Sequence, residues 1–275
     1  MIASARLMLK RFVLTVLPEP ALQPIRRGYY ARMLRRGEED PEPDLPLLAE
    51  FVHVGDCVAD IGANVGVFTK PLSRFVGREG LVYAVEPIAV TFDVLCSNVR
   101  KLGLVNVRPL NYAISDRDGS AVMEVPLRPT GWEDFYRARV VTDEGARRRG
   151  CVRVDRRTID SLWADSDRPL SFIKCDVEGH ELDCLRGARR VLARWAPAWL
   201  LEVTGDPDRP DSAAHAAFEL LAGRGYRAFW FDGERLHRRR PGEISINYWF
   251  LTPEHFDRLG PERAVEGEAE DGSFP

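Results

Sequence analysis

A chain of 275 residues, 45% apolar and 29% charged, is long enough for one sizeable core with extensions at its ends and too short for two full domains. Its formal net charge of -3 excludes a global electrostatic pull toward nucleic acid or an anionic membrane, so partners have to be argued from sites. The five cysteines, Cys57, Cys96, Cys151, Cys175 and Cys184, are odd in number and form no C-x-x-C pair. They read as reduced thiols of a cytoplasmic protein, with Cys57 and Cys175 serving as small buried hydrophobes.

The N-terminus "MIASARLMLKRFVLTVLPEP" sets basic residues before a short apolar run. The run is too short to span a bilayer and no small-residue cleavage site follows it, so an amphipathic helix packed on the body is expected, with peripheral membrane contact through 1–17 as the minor alternative. Residues 1–46 form a helical extension and linker in this reading, the linker being the charged, proline-rich "RRGEEDPEPDLP". From 47 to 260 strand and helix patterns alternate, which predicts an α/β fold with a doubly wound, mostly parallel seven-stranded sheet. Its strands are expected at Cys57 to Ile61, Leu81 to Val85, Val107 to Leu110, Phe172 to Cys175, Trp199 to Val203, Arg227 to Phe231 and Ile246 to Leu251. Helices are expected near 65–76, 90–102, 181–194 and 212–223. The stretch from Ala121 to Val154 breaks the rhythm and reads as an insertion centred on about 127–150, a place where α/β scaffolds often carry specificity. Residues 261–275 are acidic and nearly free of core residues, and a disordered tail is expected.

Between the first strand and the first helix lies Asp60-x-Gly62-Ala63-Asn64-x-Gly66. The dinucleotide fingerprint lets bare backbone approach a pyrophosphate, but this loop lacks its middle glycine and places a carboxylate where phosphate would be repelled. That carboxylate suits a ligand bearing an ammonium group, and S-adenosylmethionine has an ammonium, a carboxylate for backbone N–H groups, a ribose and an adenine, with no phosphate. Glu86 ends the second strand, where α/β nucleotide sites place an acid on the ribose hydroxyls. The purely structural alternative has Asp60 capping the turn and Glu86 ending a strand before Pro87. After the third strand, Asn111 and Ala113 fall where an adenine edge would lie.

The run "FIKCDVEGHE" ends the fourth strand at the switch point of the sheet. Alternation puts Phe172, Lys174 and Asp176 on one side of it, so Lys174 and Asp176 lie within reach of each other. A buried lysine there needs carboxylates, and Asp176, Glu178 and Glu202 are candidates. Asp176 and Glu178, with His180, would orient or deprotonate an acceptor hydroxyl. An ion-pair network holding the top of the sheet is the structural alternative, and clustered carboxylates are also suited to a divalent metal. In the insertion, Trp132, Tyr136, Arg137 and Arg139 would form a lid over the acceptor, or else a hairpin packed on the body.

Taken together, "VADIGANVGVFT", "VYAVEP", "NYAISD", "TIDSL" followed by "FIKCDVEGHELDCLRGA", and "WLLEV" resemble, in order, the FkbM family of S-adenosylmethionine-dependent methyltransferases across roughly residues 50–205. The resemblance implies a Rossmann-like class I methyltransferase fold and O-methylation of a hydroxyl on a small molecule, sugar or natural product. It implies cofactor binding by Asp60, Gly62, Asn64, Gly66 and Glu86, with Asp176, Glu178 and Glu202 on the acceptor side. A catalytically silent S-adenosylmethionine-binding module and an NAD-dependent oxidoreductase stand as alternatives. A nucleic-acid methyltransferase is disfavoured by the charge and by Asp-Val-Glu-Gly at the end of the fourth strand.

Overall fold

Residues 19–37, 42–126, 138–141, 150–259 and 264–265 are described by the structure, a computed structural model. Helix α1 (Glu19–Arg36) and the short α2 (Leu48–Phe51) precede β1 (Cys57–Ile61), α3 (Thr69–Val76), β2 (Leu81–Val85), α4 (Ala89–Leu102) and β3 (Val107–Leu110). The middle of the chain holds β4 (Ala113–Ile114), β5 (Gly119–Glu124), β6 (Arg139–Val141), β7 (Cys151–Arg157), α5 (Ile159–Trp163) and β8 (Leu170–Cys175). There follow α6 (Glu181–Arg186), α7 (Arg189–Trp195), β9 (Ala198–Glu202), α8 (Ala213–Ala222), β10 (Arg227–Phe231), β11 (Leu236–Arg238), β12 (Asn247–Leu251), α9 (Pro253–Phe256) and β13 (Ala264–Val265).

The central strands are continuous apolar runs because helices cover both sides of them: every residue of β1 is buried. Alternation sends Ile173, Cys175, Trp199 and Leu201 to one face, against Trp163, Leu185, Val191 and Leu221. Phe172, Leu200 and Trp249 take the other, against Phe51, Leu72 and Leu95. The strand order is β13-β11-β10-β12-β9-β8-β1-β2-β3. From β9 through β8, β1 and β2 to β3 the strands run parallel, while β12 lies antiparallel between β9 and β10. All seven expected strands are present. Two short edge strands, β11 and β13, extend the sheet to nine.

Three expectations need correcting. The two described residues of the tail, 264–265, are ordered as β13 and pair in parallel with Leu236 and His237. The helix expected over 181–194 is two helices, broken where Gly187 passes so close to Ser115 that a Cβ would stand 2.1 Å from its carbonyl oxygen. The ends of the 121–154 segment belong to a second sheet, of order β4-β7-β5-β6. In it β5 pairs with β7 from Gly119↔Arg156 to Glu124↔Cys151 and with β6 through Met123↔Val140.

The N-terminal extension is tied to the body. Arg27 grips Asp93 of α4 with two hydrogen bonds of 2.6 and 2.5 Å, Arg35 donates to Lys101 O at 2.7 Å, and Lys70 of α3 donates to Leu34 O. Leu22 and Leu34 are fully buried. Residues 1–18, including the segment for which membrane contact was the minor alternative, lie outside the described residues. Among those described, no helix is long and apolar enough to cross a membrane.

The stretch 35–46 is more than a linker, because Asp44 in it is 4% exposed and accepts hydrogen bonds from Trp249 Nε1 at 2.6 Å and Asn247 Nδ2 at 2.7 Å. Asp44→Ala should strand the buried indole N–H, costing about 1–3 kcal/mol and lowering Tm by several degrees. Thermal unfolding checks this, and an unchanged Tm would return the segment to linker status.

Candidate active site

Leaving β1 the chain crosses to β2 on one side, whereas β8 leads to β9 on the other, so the loops at the carboxyl ends of β1 and β8 diverge and open a crevice. The loop after β1 turns on three residues of positive φ: Gly62 at 77°, Asn64 at 49° and Gly66 at 99°. Gly62 and Ala63 N–H groups donate to Val85 O at 3.0 and 2.9 Å, and Asn98 Nδ2 reaches across from α4 to Val65 O at 2.8 Å. A Cβ on Gly62 would lie 1.8 Å from Asp176 O, so glycine is what lets the two loops meet.

One half of the crevice lies over the ends of β1 and β2, lined by Ile61, Gly62, Asn64, Val85 and Glu86. Glu86 faces it, 6% exposed, with Oε2 accepting from Asn64 N at 3.1 Å and Oε1 from Ile88 N at 2.9 Å. Burial pushes this carboxyl up to about 7, against the pull of those two backbone N–H groups. Ala113 is on the wall, as is Tyr112. Asn111 braces the turn below the wall, its amide donating to Glu86 O and Pro87 O at 2.8 and 3.0 Å. The second sheet supplies a roof of Met123, Ala138 and Val140.

Arg139, expected to meet the acceptor, lies between Ala138 and Val140 and therefore points to the outer face, where it pairs with Glu124 at 3.0 Å and is 61% exposed at the side chain. Trp132, Tyr136 and Arg137 fall outside the described residues.

The other half, about 810 Å³, is lined by Asp60, Lys174, Asp176, Glu178 and Glu202, joined by Phe68, Glu42 and Asn247. Gly62, Asn64, Asp176 and Glu178 border both halves. Asp60 is fully buried; its Oδ2 accepts from Thr69 Oγ1 at 2.5 Å, while its Oδ1 has no hydrogen-bond partner among the described residues. Burial raises its pKa, opposed by Lys174 and by the Thr69 bond. Lys174, 7% exposed, donates to Asp176 Oδ2 at 2.8 Å and stands 5.0 Å over the Phe68 ring. Burial disfavours its charge, but the carboxylates of Asp176, Asp60 and Glu202 prevail and hold the ammonium firmly protonated. Glu202 is pushed up to about 7 by burial and by Asp176, with Lys174 opposing. Glu178 sits at φ 53°, a left-handed conformation that costs a side-chain-bearing residue on the order of 1 kcal/mol, of the sort concentrated at functional sites.

His180 lines the half over the ends of β1 and β2. Its Nε2 lies 2.9 Å from Ser115 Oγ and its Nδ1 3.3 Å from Asp183, so both ring nitrogens are engaged within the protein. Burial lowers its pKa, with Asp183 opposing. Among the described residues, no group of three or more His, Cys, Asp and Glu side chains converges to hold a metal ion.

The crevice fits S-adenosylmethionine on two counts. Asp60 Oδ1 is a buried acceptor without a donor among the described residues, which suits an ammonium, and Glu86 stands at the end of β2, where ribose hydroxyls can donate to it.

The description "Methyltransferase FkbM domain" matches residues 60–228. The chain belongs to the FkbM methyltransferase family. Hexuronic acid methyltransferase AglP of Haloferax volcanii is 31% identical over 160 residues, 57% of this chain and 59% of that protein, so this FkbM chain spans about three-fifths of that relative's length. Among solved structures, methyltransferase FkbM from Methylobacillus flagellatus KT is similar at TM-score 0.47 and 18% identity, over 71% of this chain and 43% of that one. Aeropyrum pernix fibrillarin with natively bound S-adenosyl-L-methionine is similar at TM-score 0.44 and 14% identity, over 75% of this chain and 74% of that one.

Several residues of the FkbM crevice escaped sequence reasoning. Thr69 was within reach of it, standing in the first turn of the helix that the glycine loop introduces. Glu42 and Asn247 carried no signal, because they lie outside the family-matched span and are more than 200 positions apart in the chain.

Glu86 yields a pH prediction. Its folded pKa of about 7 exceeds the ordinary 4.5, so the stability it contributes is fully present below 4.5 and lost as pH rises through 7. At about 1.4 kcal/mol per tenfold change, this amounts to on the order of 3 kcal/mol. Unfolding free energies at pH 5 and pH 8 should differ more in wild type than in Glu86→Gln; equal differences would refute the burial argument.

Proposed function

We propose that this protein is an S-adenosylmethionine-dependent O-methyltransferase acting on a hydroxyl of a small molecule or saccharide. The observation that carries the reading is that Gly62, Asn64, Asp176 and Glu178 border two half-clefts at once, one faced by Glu86 and the other lined by Asp60, Lys174 and Glu202. Membership of the FkbM family supports the reaction class, and the named hexuronic acid activity of the Haloferax relative supports a saccharide acceptor. Five free cysteines support a cytoplasmic setting.

When bound, S-adenosylmethionine supplies an electrophilic methyl group on a sulfonium. Asp60 would receive its ammonium and Glu86 its ribose hydroxyls, under the roof of Met123, Ala138 and Val140. Charge is neutralised as a sulfonium methyl passes to oxygen, so strong anionic contact at the sulfur would favour the ground state. The protein's contribution is therefore alignment, which lowers such barriers by as much as about 7–11 kcal/mol, together with removal of the hydroxyl proton. Glu202 is the base in this reading: a carboxyl titrating near 7 is a far better proton acceptor than an ordinary one. Lys174 holds Asp176 in place and keeps the carboxylate cluster from expelling its own charge.

Calorimetry with S-adenosylmethionine should show micromolar binding that Asp60→Asn abolishes, with no heat from NAD. Absence of S-adenosylmethionine binding by folded wild type would sink the proposal. Glu202→Gln should lower kcat by roughly 10²–10⁴-fold at unchanged cofactor affinity. The wild-type kcat should fall as pH drops below about 7, where Glu202 protonates, and a pH-independent kcat would remove Glu202 as the base.

A further inference from the structure

Asp60 owes its direction to strand periodicity. It stands in register with Lys174 of β8, on the face of the sheet where Val58 and Phe172 pack against Leu72 and Val76 of α3. Along α3 the buried positions Thr69, Leu72, Ser73 and Val76 have the spacing of a single helix face turned to that sheet. Thr69 is the first of them, fully buried in the opening turn, and it meets Asp60 where its successors meet apolar side chains.

A threonine hydroxyl carries one proton, and this one is donated to Asp60 Oδ2 at 2.5 Å. The torsion that turns a carboxyl plane is otherwise soft, so holding Oδ2 also settles where Oδ1 lies. Oδ1 is buried without a hydrogen-bond partner among the described residues, since the hydrogen bond of Lys174 goes to Asp176. Asn64 Oδ1, in the loop that follows, is a second buried acceptor without a donor among the described residues, and Asp60 and Asn64 line the same half-cleft. Acceptors in want of donors match an ammonium, which has three. Burial works against the charge on Asp60, while Lys174 and then Thr69 favour it.

We propose that Thr69 is a positioning residue for the methyl donor: by holding Asp60 Oδ2 it presents Oδ1 to the α-ammonium of S-adenosylmethionine, and it acts on no other part of that ligand. The proposal rests on the methyltransferase reading, and its test separates the two. Calorimetry would compare S-adenosylhomocysteine with its desamino analogue, the same molecule with hydrogen in place of the α-amino group, on wild type, Thr69→Val and Thr69→Ser. Valine keeps the shape and removes the hydroxyl, whereas serine keeps the hydroxyl. Wild type should prefer S-adenosylhomocysteine to the analogue by about tenfold or more, as befits a hydrogen bond between charged groups. Thr69→Val should erase most of that preference by weakening S-adenosylhomocysteine about tenfold while moving the analogue less than about twofold, and Thr69→Ser should restore it. If valine lowers Tm by more than a few degrees, Thr69→Ala reads the same ratio. A wild type that does not distinguish the two ligands, undiminished S-adenosylhomocysteine affinity in Thr69→Val, equal losses for both ligands, or no restoration by serine would each overturn the proposal. Failure of S-adenosylhomocysteine to bind folded wild type would count against the methyltransferase reading instead.

Discussion

The close approach of Gly62 to Asp176 is the constraint on which the rest of the site depends. Two parallel strands end side by side, the chain leaves them in opposite directions, and the loops can share the crevice only if one of them has no side chain at the point of contact. From that contact follow the positive φ angles of Gly62 and Asn64, the capture of Val85 O by two successive N–H groups, and the delivery of Asn64 N to Glu86. On the other side of the seam, Asp176 N donates to Ile61 O at 3.1 Å, so the two loops are tied as well as touching. The two halves of the cleft share their borders because they grow from one seam.

Electrostatics divides the labour inside that geometry. Lys174 is the buried counter-charge for Asp60, Asp176 and Glu202, and without it three carboxylates at the end of the sheet would have to give up their charge to stay buried. Among the described residues Asp60 keeps an oxygen without a donor, and burial pushes both Glu202 and Glu86 up to about 7.

The corrections to the sequence reading have one cause. Asp44 stood in a charged, proline-rich stretch and Arg139 in a polar one, and local composition gave each the bland or the attractive role that such neighbours suggest. Their places were settled by residues far off in sequence: Trp249 for Asp44, and for Arg139 the pairing of Met123 with Val140, which turned the neighbouring side chain outward. His180 likewise adjoins the carboxylate motif in sequence but is drawn toward Ser115, 65 positions earlier.

By itself the sequence determined the seven main strands, the glycine loop with its carboxylate, and the acids at the ends of β2, β8 and β9. Each of these is written in a short window: apolar runs with the period of a strand, glycines where the backbone must turn left-handed, acids where runs end. Only the tertiary structure decided which of them meet. That Asp60 and Lys174 line one space, that a second sheet roofs the half over β1 and β2, and that Glu42 and Asn247 line the other half all depend on contacts between distant segments. Such contacts are set by the packing of whole layers, which no local pattern encodes.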